Sequence, residues 1–129
     1  NVQFHDPVEA SKMPTWLASA DIGIVPLKCS ILGSVPSKIY EYMASSLSLL
    51  LIAEGEAAEI VQKSQAGLAT TPQNIQQITE NLKKLSDNEE LRKILGAHGR
   101  HASETLYSRE VINKKFINYL EEEIRNSAN

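Results

Sequence analysis

Two short apolar runs on either side of one amphipathic stretch constrain this chain more than any other feature. The first run is Ile22-Gly-Ile-Val-Pro-Leu27 and the second is Leu49-Leu-Leu-Ile-Ala53. Between them lies Gly33-Ser-Val-Pro-Ser-Lys-Ile-Tyr-Glu-Tyr-Met-Ala-Ser45, which reads as a loop that opens a helix at Pro36. Strand, loop, helix and strand make one βαβ unit. The first run, Ile22-Gly-Ile-Val25, is short and continuously apolar, which suits a strand of a parallel sheet covered on both faces. In such sheets ligands gather where a strand's carboxyl end gives way to a helix N-terminus. Lys38 and Glu41 are the ionisable side chains in the first turns of that helix, so a site is expected there.

The segments around this unit extend the pattern. Val2-Gln-Phe-His5 reads as a short strand ended by Asp6-Pro7. Val8, Met13, Trp16, Leu17 and Ala20 predict an amphipathic helix that Pro14 breaks or restarts. In the central helix, Ser34 is the candidate cap, Pro36 is pre-set for a first turn, and Ile39, Tyr42 and Met43 form the inward stripe. A helix is predicted from Gly55 to Lys63 with Ala57, Ala58 and Val61 inward, then a last strand, Ala66-Gly-Leu-Ala-Thr70, near an edge.

After Thr70 the pattern turns helical. Thr71-Pro72 is expected to cap a helix with the stripe Ile75, Ile78, Leu82 and Leu85. Asp87 with Glu90 suggests the cap of a second helix through Leu91, Ile94 and Leu95, weakened at Gly96 and Gly99. Ser108 is expected to cap the last helix, with Ile112, Phe116, Tyr119 and Leu120 inward and Glu121-Glu-Glu123 solvated. The expected architecture is βαβαβαβ over residues 1–70 and a helical tail over 71–129: an α/β, Rossmann-like parallel sheet with flanking helices.

Composition narrows the function classes. With 129 residues the chain is one domain or a large piece of one. A formal charge of −3 lacks the basic footprint that nucleic acid or an anionic lipid surface would require. Aromatic residues at 5% are too few for a base-stacking platform. The single cysteine, Cys29, excludes an intrachain disulfide and a cysteine-rich zinc site, and it suits a reducing compartment. No apolar run approaches the roughly 20 residues of a membrane span. The chain opens on Asn1 without an initiator methionine or a signal peptide, so it is expected to be a piece of a longer protein.

Four segments in order resemble a known family. Met13-Pro-Thr-Trp-Leu-Ala-Ser-Ala-Asp-Ile-Gly-Ile-Val-Pro-Leu27, Pro36-Ser-Lys-Ile-Tyr-Glu-Tyr-Met-Ala44, Glu54-Gly-Glu-Ala-Ala-Glu59 with Ala66-Gly-Leu68, and Ser108-Arg-Glu110 are similar to the C-terminal, nucleotide-sugar-binding domain of two-domain GT-B glycosyltransferases. Within that fold the closest resemblance is to the large retaining group that builds bacterial polysaccharides, lipopolysaccharides and glycolipids. The resemblance implies a nucleoside-diphosphate sugar as substrate, UDP-linked, carrying a hexose or N-acetylhexosamine, with no further cofactor and no metal. It implies a domain truncated at its N-terminus, with the acceptor held by a preceding domain absent from the chain. The fragment alone is then expected to be inactive. A cytoplasmic location is implied, with peripheral contact at the inner face of the membrane through that other domain.

By the same resemblance Glu41 matches the glutamate that accepts hydrogen bonds from the ribose hydroxyls. A carboxylate has about four lone-pair sites and can take a diol in a bidentate way. Gly33, Ser34, Val35, Ser37 and Lys38 would form the loop and first turn at the diphosphate, and Glu54, Gly55 and Glu56 would line the same rim. The catalytic residues stay unassigned. Two positions depart from the family pattern. Gly33 stands where many members have a second glutamate, and Ser46-Leu47-Ser48-Leu49 replaces a Gly-x-Pro turn, which puts the entry angle of the next strand, and with it the Glu54 rim, in question.

Blander readings stand beside these. Glu41 and Lys38 at i, i+3 suit a solvated helix pair, and Ser34 and Ser37 suit caps. His5 suits a loop, His98 and His101 a helix surface, and Cys29 a loop thiol. A sugar-nucleotide epimerase of the same fold, or a noncatalytic domain that docks a partner through its helical tail, are the alternatives to a transferase.

Overall fold

The computed structural model describes residues 2–27 and 33–127, and Cys29 lies outside them. Three parallel strands form one sheet in the order β1-β2-β3: β1 (Ile22–Pro26), β2 (Ser48–Ile52) and β3 (Gly67–Thr70). Ile24 pairs with Leu50, and Leu50 with Leu68, so the three strands run in register across the centre of the sheet. The crossovers are α2 (Ser37–Ala44) and α3 (Glu56–Lys63); α4 (Ile75–Asp87), α5 (Glu89–Thr105) and α6 (Arg109–Ser127) follow. A single 3-10 turn (Ala10–Lys12) leads into α1 (Met13–Ala18), restarted at Pro14 as its position predicts.

The central strand carries the core. Ser48, Leu49, Leu50 and Leu51 are all buried, because helices cover both faces of β2. Leu49 and Leu51 meet Ile39 and Met43 of α2, Ala57 and Val61 of α3, and Ala102 of α5. Leu50 faces the opposite layer, against Leu85 of α4 and Leu95 of α5. Alternation along one strand therefore feeds two cores, and α5 contributes to both.

Several expectations need correcting. Val2–His5 forms no strand, and Val2 and Phe4 are 81% and 95% exposed, so among the described residues the sheet has three strands instead of four. With no neighbour on that side among the described residues, β1 is an edge: Gly23 and Val25 are buried but Ile24 is 42% exposed, so only one face of the strand is covered. The caps differ too. Asn74 and Asn88, not Thr71-Pro72 and Asp87, accept from the Gln77 and Leu91 amides at 3.0 and 2.8 Å. Asparagine satisfies the same orphan N–H that an aspartate would. Ser108 does cap the last helix, accepting from the Val111 amide at 3.3 Å.

Two glycines expected to weaken α5 instead let it dock. Gly96 and Gly99 are buried within an unbroken helix, and a Cβ at Gly96 would stand 2.1 Å from the Ser46 carbonyl oxygen. Close approach, not flexibility, is their role here. The final helix departs furthest from expectation. No residue of α6 is buried, and Ile112, Phe116, Tyr119 and Leu120 are 48%, 59%, 57% and 42% exposed.

The Gly-x-Pro turn that the chain lacks is replaced by Ser46 in a left-handed conformation, φ +57°. The Leu47 amide donates to Tyr42 O and the Ser46 amide to Met43 O, which closes α2 in a Schellman arrangement. Gln65, φ +52°, ends α3 the same way, with Ala66 N donating to Val61 O. Both crossovers thus return into the sheet through one left-handed residue, and β2 keeps its full register with β1.

Candidate functional site

The start of α2 follows from how β1 ends. The Leu27 amide donates to Ile52 O at 2.9 Å, and Gly33 (φ +74°) turns the chain back beyond the strand's carboxyl end. Ser34 is exposed and Val35 packs half-buried on the main core. Pro36, in extended backbone, is the N-cap, and no side chain caps the helix, so Ser34 does not take the capping role expected of it. The amides of Ser37 and Lys38 lie in the turn that has no intrahelical acceptor, on exposed residues. Such an end attracts anions through both its free N–H groups and its dipole.

Glu41 is the fifth residue of α2, so it stands about one turn inside the helix. Its Oε1 accepts from Ser37 Oγ at 3.1 Å and its Oε2 from Lys38 Nζ at 3.3 Å. These partners use about half of the carboxylate's lone-pair capacity, and the side chain remains 40% exposed. Ser37, Lys38 and Glu41 therefore form one small polar cluster on the first turn. The solvated i, i+3 pair expected as the bland alternative is present in this structure, and it leaves the carboxylate reachable.

Glu41 and Lys38 border a recess of about 510 Å³ lined otherwise by Val8, Ala10, Met13, Pro14, Leu17 and Ser45. Met13 and Leu17 lie on one face of α1 and Val8 precedes the 3-10 turn, and only the structure sets them against the polar start of α2. Helical periodicity signals such a face; it does not say what stands against it. On the other flank of Glu41 a second groove, of about 430 Å³, holds Tyr40, Arg100, Glu104 and Tyr107. Tyr40 and Tyr107 stack at a tilt with ring centroids 5.3 Å apart. Burial, with smaller contributions from Tyr107 and Glu56, pushes the Tyr40 hydroxyl above the usual tyrosine range. Arg100 donates to Ala44 O at the end of α2 and to Glu104 Oε1 at 2.6 Å.

The second expected rim lies elsewhere. Glu54 and Gly55 line a depression of about 330 Å³ with Thr70, Thr71 and Gln77, at the carboxyl ends of β2 and β3, and share no lining residue with the Glu41 recess. Gly55 (φ +73°, ψ −147°) is the N-cap of α3 and occupies backbone space that only glycine adopts without strain. Glu56 borders neither depression and is placed near the Tyr40 hydroxyl. Glu41 is thus brought together with Ser37 and Lys38, whereas Glu54, Gly55 and Glu56 belong to the next crossover. His98 and His101 are exposed on α5, and His5 packs edge-on against Trp16 at 5.2 Å. Among the described residues no three histidine, cysteine or acidic side chains converge as metal ligands, and no helix is long and apolar enough to cross a membrane.

Neither the curated proteins nor the solved structures hold a match to this chain. The family model described as glycosyl transferases group 1 matches residues 1–102, about four-fifths of the sequence. That span holds the whole sheet, the Glu41 cluster and most of α5, and stops short of α6. With a Rossmann-like α/β fold, an uncapped helix start beyond a strand's carboxyl end and a family match over most of its length, the chain belongs to the glycosyl transferases group 1 family, whose chemistry is glycosyl transfer.

Proposed function

We propose that the chain is the donor-binding part of a retaining glycosyltransferase and holds a nucleoside-diphosphate sugar at the start of α2. The observation that carries this reading is the position of Glu41: a reachable carboxylate one turn from an open helix end, at the mouth of an apolar recess. The diphosphate belongs at the Ser37 and Lys38 amides, with Gly33, Ser34 and Val35 forming the loop above it. The ribose diol takes the lone pairs that Ser37 and Lys38 leave on Glu41, and the apolar recess beside it suits the nucleobase. Lys38 contributes a point charge toward the phosphates. The positive end of the α2 dipole would stabilise charge that develops on the diphosphate as it leaves the anomeric carbon.

In this reading the donor is UDP-linked and the sugar a hexose or N-acetylhexosamine, destined for a bacterial polysaccharide, lipopolysaccharide or glycolipid. Acceptor and catalytic groups come from a domain outside this chain, which also supplies any peripheral contact with a membrane. Glu54, Gly55 and Glu56 are left with a rim role only if the donor's sugar reaches across to α3.

Titrating the chain with UDP, UDP-GlcNAc and GDP-mannose while recording backbone amide shifts tests the site. Shifts are expected to centre on residues 33–41 and to be largest for one of the uridine ligands. Glu41→Gln keeps the size of the side chain and removes its charge. It should weaken binding roughly 10- to 100-fold, since a hydrogen bond to a charged group contributes about 1.5–3 kcal/mol, with no change in melting. Equal affinity for wild type and Glu41→Gln would remove Glu41 from the site.

A further inference from the structure

The last carbonyls of α2 need donors from outside the helix ladder. Glu41 O accepts from the Ser45 amide and hydroxyl, Tyr42 O from the Leu47 amide and Met43 O from the Ser46 amide, all supplied by the turn that follows. Ala44 O is served differently: it accepts from Arg100 Nη1 of α5, 56 residues away in the chain. Arg100 Nε donates at the same time to Glu104 Oε1 at 2.6 Å, one turn on in α5, which fixes the direction of the guanidinium. A cation there also suits the negative end of the α2 dipole.

This bond sits within a longer contact. α5 runs antiparallel along α2: Gly96 faces Ser46, Gly99 faces Met43, Arg100 reaches Ala44, and Tyr107, just beyond α5, stacks on Tyr40. The two glycines bring the backbones close, but they carry no side chain to stop one helix sliding along the other. A directed hydrogen bond does resist sliding, because it weakens once its length leaves roughly 2.7–3.2 Å. Ser37, Lys38 and Glu41 ride on the same eight-residue helix, so any slide at Ala44 is carried to them. A displacement of about 1 Å is enough to spoil a binding geometry.

We infer that Arg100 is a positioning residue for the donor. By holding Ala44 O it sets α2 along its axis and keeps Glu41 and the first-turn amides at the carboxyl edge of the sheet, without touching the ligand. The inference rests on the donor reading of α2. Arg100 is 51% exposed, so its removal opens no cavity and acts on the position of α2 more than on the core.

Titration of the 129-residue chain with UDP, followed by backbone amide shifts well below the melting temperature of every variant, tests it. Arg100→Met keeps an apolar stem and removes the donors. It should weaken UDP binding roughly 3- to 30-fold, and in the ligand-free chain it should shift the amides of Ser37 and Lys38, about 10 Å along the helix from Ala44. Arg92→Met is the matched control. Arg92 also lies on α5 and donates to carbonyls at a helix end, Leu85 O and Ser86 O of α4, at 2.7 and 2.8 Å. With its side chain only 18% exposed, its loss should lower the melting temperature at least as much, yet leave UDP affinity and the Ser37 and Lys38 amides unchanged. Equal UDP affinity for wild type and Arg100→Met would overturn the inference and leave the donor reading standing. Equal weakening by Arg92→Met would also overturn it, since any loosening of α5 would then suffice. A wild-type chain that binds neither UDP nor UDP-GlcNAc would bring down the donor reading, and this inference with it.

Discussion

β2 and α6 are both built on apolar periodicity, and they end at opposite extremes of burial. Leu49, Leu50 and Leu51 are 0–1% exposed, whereas the apolar positions of α6 are about half exposed. β2 is central because a parallel strand cannot stand alone: its hydrogen bonds need β1 and β3, and the crossovers that join them put helices on its faces. A helix satisfies its own backbone within one segment, so α6 can form without any particular neighbour. The same amphipathic signal therefore implies a core in one region and only a surface in the other.

The largest expected effect tests that contrast directly. Leu50→Ala should lower unfolding stability by about 2–5 kcal/mol, the range for large-to-small changes at fully packed sites. Phe116→Ala should stay within about 0.5 kcal/mol of wild type. Urea denaturation of the two variants side by side gives the answer. A comparable loss for both would mean that α6 is packed on the rest of the chain.

A smaller effect asks how α5 joins the two cores. Gly96→Ala places a methyl against the Ser46 carbonyl, which should cost about 1–3 kcal/mol through forced displacement. If alanine instead stabilised α5 by its better helix propensity, the helix would not be seated as closely as described. The least effect is local. Gln65 holds φ +52° at an exposed position, so Gln65→Gly should raise stability by about 1 kcal/mol. A shift in melting temperature of a few degrees upwards is the expected reading. A fall would mean that the glutamine side chain makes a contact worth more than the backbone strain it carries.

Much of the fold was legible because its signals are local. The apolar runs at Ile22 and Leu49, the helix from Pro36 and the weaker strand before Thr70 carry their own periodicity, and the structure places each one within a residue or two. Sequence alone does not single out Asn74 and Asn88 as caps over the neighbouring Thr71-Pro72 and Asp87, because several residues near a helix start can serve and geometry chooses among them. At Gly96 and Gly99 propensity registers a missing side chain and not the neighbouring atoms, the Ser46 carbonyl and the Ala66 side chain, that fill its place.

The candidate site divides along the same line. Its polar members, Ser37, Lys38 and Glu41, lie on one turn, so helical spacing alone brings them together. The sequence also determined the βαβ order and the amphipathic helices, but not which strand is buried on both sides, since the run at Ile22 suits two-sided burial and the structure gives that place to β2. Tertiary structure alone decided that Val8, Met13 and Leu17 face Glu41, that Glu54 and Gly55 open onto a separate depression, that Val2–His5 pairs with nothing among the described residues, and that the stripe of α6 is bare. The physical reason is range. Propensity, capping and periodicity act over a few residues, whereas a recess, a sheet edge and an uncovered face each depend on segments far apart in the chain.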